Sequence, residues 1–388
     1  MTTIINNENK KLNVPNLRFP EFQGEWEKCR LADVCSFFSG GTPSSSNKDF
    51  YGGNIPFIRS GELHKEETEL FITQSGYENS SAKMVEVGDL LLAMYGATSG
   101  DVAISKIKGA INQAILCIRT KHNNKFIESV WNKHVSKILV KYLQGGQGNL
   151  SADIVKRISF SLPSLAEQKK ISHLMQLIDV RIATQNKIIG KLQSLIKGIV
   201  DCTILRKEKS AIVGDVCSIS EQIRAEANID DIITVRLHGN GVCKSSAENL
   251  QLGATQYYRR RAGQLIYGKQ NFHNGAIGIV PISLDNGITS KDIPSFDIDE
   301  MKCNSVYLLA QLQSPQYYKP AEALTTGTGS KRLKEETFLK MPIVLPNKRE
   351  QDNIATLIIS ISANLDQAKK MLDLFSIQKQ YLLRQMFI

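Results

Sequence analysis

The chain has 388 residues, is 42% hydrophobic and carries 48 Lys and Arg against 38 Asp and Glu, a formal net charge of +10. That size favours two or three packed domains, and the positive excess points to polyanionic partners, nucleic acid first. The seven cysteines are odd in number and form no C-x-x-C pair. They argue for reduced thiols and against a disulfide framework or a zinc site.

Residues 1–14 are a polar extension with no apolar h-region, and no apolar run approaches a membrane span, so a cytoplasmic protein is expected. From 15 to 160 short β-like runs, NIPFIRS, GDLLLAMYG and INQAILCIR, are broken by glycine, which predicts an α+β domain with a twisted sheet and long loops. Its loops hold candidate DNA contacts. SGGTPS offers backbone N–H groups of Gly40 and Gly41 and hydroxyls of Thr42 and Ser44, and Arg59 ends a strand. Turn chemistry alone explains the same Gly, Pro and Ser. Tyr95 and Thr98 follow GDLLLAM, Gln113 lies in INQAI, and Gln147 and Asn149 lie in GGQGNLS.

Residues 161–206 read as a long helix. After Leu162-Pro163, Ser164 and Glu167 have the spacing of a capping box. An apolar seam follows at Ile171, Met175, Ile178, Ile182, Gln185, Ile189, Leu192, Ile196 and Ile199, apolar at all but Gln185. His173 falls on the surface or edge of this helix.

The segment 207–344 is a second mixed domain, with DIITVRLHG, AGQLIYG and GAIGIVPI as its strands. In QYYRRRAGQ, Tyr257 and Tyr258 stand beside Arg259, Arg260 and Arg261, residue types suited to phosphate, sugar and guanine. A solvent-facing basic strand would read the same. YGKQNFHNG collects Lys269, Gln270, Asn271 and His273, of which Gln and Asn suit adenine. A polar hairpin tip is the plain alternative. GTGSKRL adds Thr328, Ser330, Lys331 and Arg332.

Residues 345–388 repeat the helix. LPNKREQDNI answers LPSLAEQKKI 183 positions later, with Asn347 and Glu350 as the second capping pair. The seam recurs at Ile354, Ile358, Ile361, Leu365, Ala368, Leu372, Phe375, Lys379 and Leu382, apolar at all but Lys379. LADVCS returns as VGDVCS, VGDLLLAMYGATSGDVAI as AGQLIYGKQNFHNGAIGIV, and GGQGNLS as GTGSKRL, all in the same order. The simplest account is a duplicated module, a mixed domain followed by a helix, twice. Helices on the order of 60 Å long with matched seams should pair antiparallel about a pseudo-two-fold axis, outside the domains. Two amphipathic helices on separate cores would explain the seams without their matched spacing.

No catalytic constellation is evident. No G-x-x-x-x-G-K-[ST] or G-x-G-x-x-G motif is present, and the six histidines have no metal spacing. Pairs such as Glu66-Glu67 and Asp230-Asp231 sit in charged runs that read as solvated faces.

The ordered set SGGTPS, IPFIRSGEL, GDLLLAMYGATSG, INQAI, GGQGNLS and the two LP...EQ helices resembles the specificity subunits of type I restriction-modification systems, over nearly the whole chain. The resemblance implies two α/β target-recognition domains, 15–160 and 207–344, separated by two long antiparallel coiled-coil helices, 161–206 and 345–388. It implies a non-catalytic subunit that reads double-stranded DNA, each domain taking one half of a bipartite gapped site through the major groove. No cofactor is implied for this chain. S-adenosylmethionine is expected in modification subunits, usually two, and ATP with magnesium in restriction subunits. The second half lacks clear counterparts of SGGTPS and INQAI, which leaves residue assignments there less secure. A coiled-coil scaffold or a stand-alone DNA-modifying enzyme are the competing readings. The scaffold needs no arginine-rich loops, and the enzyme needs a cofactor or metal motif.

Overall fold

The computed structural model describes residues 13–143, 149–245, 255–327 and 331–388. The chain divides into two compact units, Met1–Gln185 with Met371–Ile388, and Asn186–Lys370. The first unit is therefore discontinuous in sequence. Each unit holds one mixed domain and part of both long helices, Leu165–Ile199 and Lys348–Met386.

In the first unit the strands are β1 (Glu27–Arg30), β2 (Cys35–Ser39), β3 (Tyr51–Ile58), β4 (Phe71–Ile72), β5 (Lys83–Val85), β6 (Leu90–Ala93), β7 (Val102–Ile104), β8 (Gly109–Ile111), β9 (Ile115–Thr120) and β10 (Ser159–Leu162). One antiparallel sheet has the order β2-β9-β6-β7. A second, β4-β3-β8-β5, contains the parallel pair β3 and β8. Strand β6, buried at all four residues, explains why LLLA is continuously apolar instead of alternating. The main core gathers Trp26, Phe126, Trp131 and Phe160 with Ile171 and Met175 of the first long helix and Leu382 and Phe387 near the end of the second. Phe126 lies 5.6 Å from Trp26 and 5.2 Å from Phe387, ring to ring.

The second unit repeats the main sheet. Its strands are β11 (Ala211–Ile212), β12 (Cys217–Ile219), β13 (Arg224–Ala225), β14 (Ile233–Val235), β15 (Val242–Lys244), β16 (Tyr257–Arg259), β17 (Leu265–Tyr267), β18 (Ile277–Ile279), β19 (Ile288–Ser290), β20 (Ser295–Ile298) and β21 (Pro342–Ile343). The order β12-β20-β17-β18 is that of β2-β9-β6-β7, and β11 pairs with β21 as β1 does with β10. The loosely similar AGQLIYG and VGDLLLAMYG thus form equivalent strands, β17 and β6. The core packs Tyr267, Phe272, Phe296 and Phe338 with Val200, Ile204, Ile354 and Ile358.

The helices carry the seams. Ile171, Met175, Ile178, Ile354, Ile358, Ile361, Ala368 and Leu382 are buried, and the other seam positions, Gln185 and Lys379 included, are half-buried, all but Ile199 between exposed neighbours. Within the first unit Asp179 meets Lys379 at 2.7 Å, and the Arg181 guanidinium lies 5.9 Å from the Phe375 ring. At 1.5 Å per residue, 35 and 39 residues give lengths of about 52 and 58 Å.

Their N-termini correct the expected capping boxes. Ser164 and Asn347 do accept the N–H groups of Glu167 and Glu350, at 3.3 and 3.0 Å. The carboxylates turn elsewhere because stronger donors are near. Glu167, 1% exposed, takes Arg18 through two bonds of 2.7 Å and the Trp26 indole N–H, and Glu350 takes Lys207. Among the described residues no helix is long and apolar enough to cross a membrane.

Candidate nucleic-acid interface

In the first unit, backbone hydrogen bonds lace five distant motifs into one end of the sheets. Gly41 N–H donates to Ile111 O (3.2 Å), Asn112 N–H to Ile58 O (3.3 Å), Met94 N–H to Ala114 O (2.8 Å) and Leu150 N–H to Met94 O (2.8 Å). These bonds draw Thr42, Arg59, Tyr95, Gln113 and Asn149 to the same end, all exposed. The Thr42 hydroxyl donates to Gln113 Oε1, which orients the amide and leaves its NH₂ for another acceptor. Asn149 Oδ1 accepts from Gly96 N–H at 3.5 Å, and Thr98, half-buried, reaches Tyr95 O at 3.5 Å. Ser44 is exposed and shares a 2.7 Å hydrogen bond with Ser46.

Two expectations for this unit change. Gly40 and Gly41 are buried, and the Gly41 N–H is already used, so neither presents a free donor to a ligand. The glycines are there for packing: a Cβ would come within 1.8 Å of Ile111 O at Gly40 and 1.9 Å of Ser81 Oγ at Gly41. Arg59 is 45% exposed but not free. It meets Glu62 at 3.0 Å and Glu69 at 3.2 Å. Burial alone would raise the Glu62 carboxyl, but bonds from Arg59, Thr68 and the Glu69 N–H hold it down at about 2. Any phosphate at Arg59 must therefore compete with two carboxylates.

The second unit builds an equivalent edge. Leu333 N–H donates to Lys269 O at 2.9 Å, as Leu150 does to Met94, so Leu333 and Leu150 hold the same place in the two domains. Gln270, Asn271, Lys331 and Arg332 are exposed, and His273 is half-buried with its Nδ1 unpartnered. Lys331 pairs with Glu322 (3.2 Å) and Arg332 with Asp292 (3.3 Å). Gln147, Thr328 and Ser330 lie outside the described residues.

The basic strand β16 is the main correction. Arg260 is fully buried, where the sequence reading has it facing DNA. It lies just past the end of β16, where the chain turns it inward, while Arg259, the last residue of the strand, stays exposed. Its guanidinium donates to Thr289 Oγ1 (2.7 Å), Ser295 Oγ (2.9 Å), Gln222 Oε1 (3.4 Å) and Ile293 O (3.0 Å). Those acceptors are all neutral, and burial lowers its pKa to about 10. Tyr257 is also buried, 6% exposed, and Tyr258 is half-buried. Lys269, with a side chain 12% exposed, is held by Glu335 at 2.7 Å and so does not stand free in its loop. Arg259 remains exposed with no ion-pair partner among the described residues.

Reading the sequence for DNA contacts misses the glutamines of the repeated helix opening. Gln168 and Gln351 are 0% and 1% exposed. Gln168 Oε1 accepts from Asn123 N–H (3.2 Å), while its NH₂ donates to Pro163 O (2.8 Å). Gln351 does the same with Asn304 N–H (2.9 Å) and Pro346 O (2.8 Å). Asn123 and Asn304 precede the domain helices Asn124–Leu143 and Ser305–Leu312, so each glutamine ties a long helix to the helix of its own domain. The signal that could have found them is the matched spacing of EQ after LP in both halves.

The chain is thus a two-domain protein, built twice on one sheet order with each domain clamped to a long seam-bearing helix. Comparison with known proteins adds similarities of sequence and fold. The model for the type I restriction modification DNA specificity domain matches residues 23–194. The chain is 21% identical to the type I restriction enzyme MjaVIII specificity subunit of Methanocaldococcus jannaschii over 91% of this chain and 89% of that protein. It is 26% identical to the EcoR124I/EcoR124II specificity subunit of Escherichia coli over 42% of this chain and 43% of that one. Its fold is similar to the crystal structure of a type I S subunit from M. genitalium, with a TM-score of 0.65 and 12% identity, covering 97% of this chain and 99% of that one. Residues 23–194 thus match the type I specificity domain, and the chain is similar in sequence and in fold to type I specificity subunits.

Proposed function

We propose that the chain is the non-catalytic subunit that chooses the DNA sequence for a type I restriction-modification complex. Each mixed domain, 15–160 and 207–344, reads one half of a bipartite gapped site through its loop edge. The helices 161–206 and 345–388 pair antiparallel about a pseudo-two-fold axis, set the gap between half-sites and dock two modification subunits. Methyl transfer from S-adenosylmethionine and ATP- and magnesium-dependent restriction belong to the partner subunits, and the assembly works in the cytoplasm. One observation carries this reading: the loop edge laced at Met94 and Leu150 recurs at Lys269 and Leu333, each on the same sheet order.

The test is methylome sequencing of cells that carry the chain with its modification and restriction partners, repeated after replacing 15–160 or 207–344 by the counterpart from a related chain. The expected result is a two-part gapped motif of which each replacement changes one half. Loss of any motif, or a change of both halves together, would overturn the reading.

A further inference from the structure

Many cations of the first unit are already paired. Arg59, Lys65, Lys106, Lys108, Arg119, Lys156 and Lys170 each have a carboxylate within 4 Å. Against that background four exposed cations around one cleft stand out: Lys28 on β1, Lys137 and Lys141 on the helix Asn124–Leu143, and Arg157 at the end of the short helix Ala152–Arg157. None has a carboxylate partner among the described residues. Asp153, on the same short helix as Arg157, is taken by Lys156 at 3.4 Å. The cleft is about 350 Å³, with Ile138, Ile158 and Phe160 in its floor.

Its cations are placed by regular geometry. His134, Lys137 and Lys141 recur at helical spacing and share one face, and Lys28 and Phe160 come from the paired strands β1 and β10. The local field is positive. Burial first, and then the neighbouring charge of Lys137, lowers the Lys133 ammonium. His134 is lowered by burial too, with Lys133 and Lys137 opposing its protonation, although its ring nitrogen meets Ile388 O at 2.8 Å. The exposed Tyr142 ring lies 5.2 Å from the Lys141 ammonium.

We infer that this cleft is a phosphate-backbone seat, in which Lys28, Lys137, Lys141 and Arg157 hold the DNA strand beside the first reading edge without reading bases. The inference rests on the proposed DNA-reading function. Three considerations favour DNA over an acidic protein surface. Lysine is depleted from protein–protein interface cores but serves phosphate as an undirected point charge. Unpaired cations around a concave surface suit a ligand with several negative charges and make binding salt-dependent. The helix carrying Lys137 and Lys141 also leads, within a few residues, to Asn149, which joins the reading edge at Gly96. In the second unit the equivalent helix stops at Leu312, short of the turns that would carry counterparts of Lys137 and Lys141. The seat should therefore act on one half-site only.

The test uses the complete complex and two DNA duplexes, one with the methylated motif and one without it, titrated across a range of salt. The variant Lys137→Gln/Lys141→Gln/Arg157→Gln removes charge from exposed positions and leaves the core alone. The expected result is weaker binding of both duplexes by a similar factor, roughly tenfold or more at low salt, with an unchanged methylated motif. The slope of log K against log salt should become shallower by about 0.9 for each phosphate no longer neutralised. Unchanged affinity and slope would overturn the inference. So would a weakening confined to the motif duplex, which would mean base reading, or a failure of subunit assembly, which would mean an acidic protein partner. If the unaltered complex showed no sequence preference at all, the proposed function itself would fall, and the two failures are thereby distinguished.

Discussion

Arg259 and Arg260 are chain neighbours with opposite environments, and the difference predicts two separable phenotypes. Arg260→Ala removes a buried cation and leaves Thr289, Ser295, Gln222 and Ile293 O without their donor. A cost of about 3 kcal/mol or more is expected, from unsatisfied buried acceptors and the cavity together. Denaturant unfolding followed by a probe in the second unit should show it. Arg259→Ala, at an exposed and unpaired side chain, should change stability by no more than about 0.5 kcal/mol. Its effect belongs in DNA binding by the assembled complex, and equal destabilisation by the two variants would contradict the burial described above. The run RRR carries no sign of which arginine turns inward, because a strand's facing depends on partners such as β13 and β19 that are remote in sequence.

At the scale of elements, the repeated helix opening acts as a joint. Gln168 and Gln351 each satisfy the N–H of the residue just before a domain helix and the carbonyl of the proline before their own helix, with the amide out of water. Replacing either by Ala strands those groups, at an expected cost of about 2–4 kcal/mol. Hydrogen exchange should quicken at Asn123–Ile127 in Gln168→Ala and at Asn304–Leu308 in Gln351→Ala, each in its own unit. Exchange that quickened in both units with either variant would show that the joints are not local. The long helices were legible in the sequence because a seam of 3.5-residue period survives any tertiary context. So was the duplication, and with it the matching of GGQGNLS to GTGSKRL. The loop side chains were much less legible. Gly40 and Gly41 resemble a ligand cradle in sequence, yet their role is set by Ile111 and Ser81, and Lys269 reads as a free loop cation until Glu335 is brought beside it. The cleft of Lys28, Lys137, Lys141 and Arg157 combines three segments, and no single stretch of sequence contains it.

Across the whole molecule, duplication has kept the frame and changed what fills it. In the first unit Lys125 bridges Glu128 and Asp179, and Asp179 also takes Lys379. Stepping Asp179 and Lys379 by the 183-residue offset of the long helices leads to Ser362 and Ile196, and stepping Lys125 and Glu128 by the 181 residues between Asn123 and Asn304 leads to Val306 and Leu309; all four line an open cleft of about 500 Å³ in the second unit. The two halves are alike in fold but not in surface chemistry. The discontinuity of the first unit has a further consequence, for the order in which the chain can fold as it is made. Synthesis delivers residues in sequence at about 5–20 per second, and domains fold as units. All of Asn186–Lys370 is available before Met371–Ile388, which supplies Leu382 and Phe387 to the core around Phe126. The half that is started first is thus the last to be completed, and during synthesis its aromatic core must wait, partly uncovered, for the final helical turns. A chain stopped after Lys370 should show this in pulse proteolysis, with cleavage within 13–185 and protection of 186–370. Equal protection of both segments would mean that the late turns are not needed to close the first core.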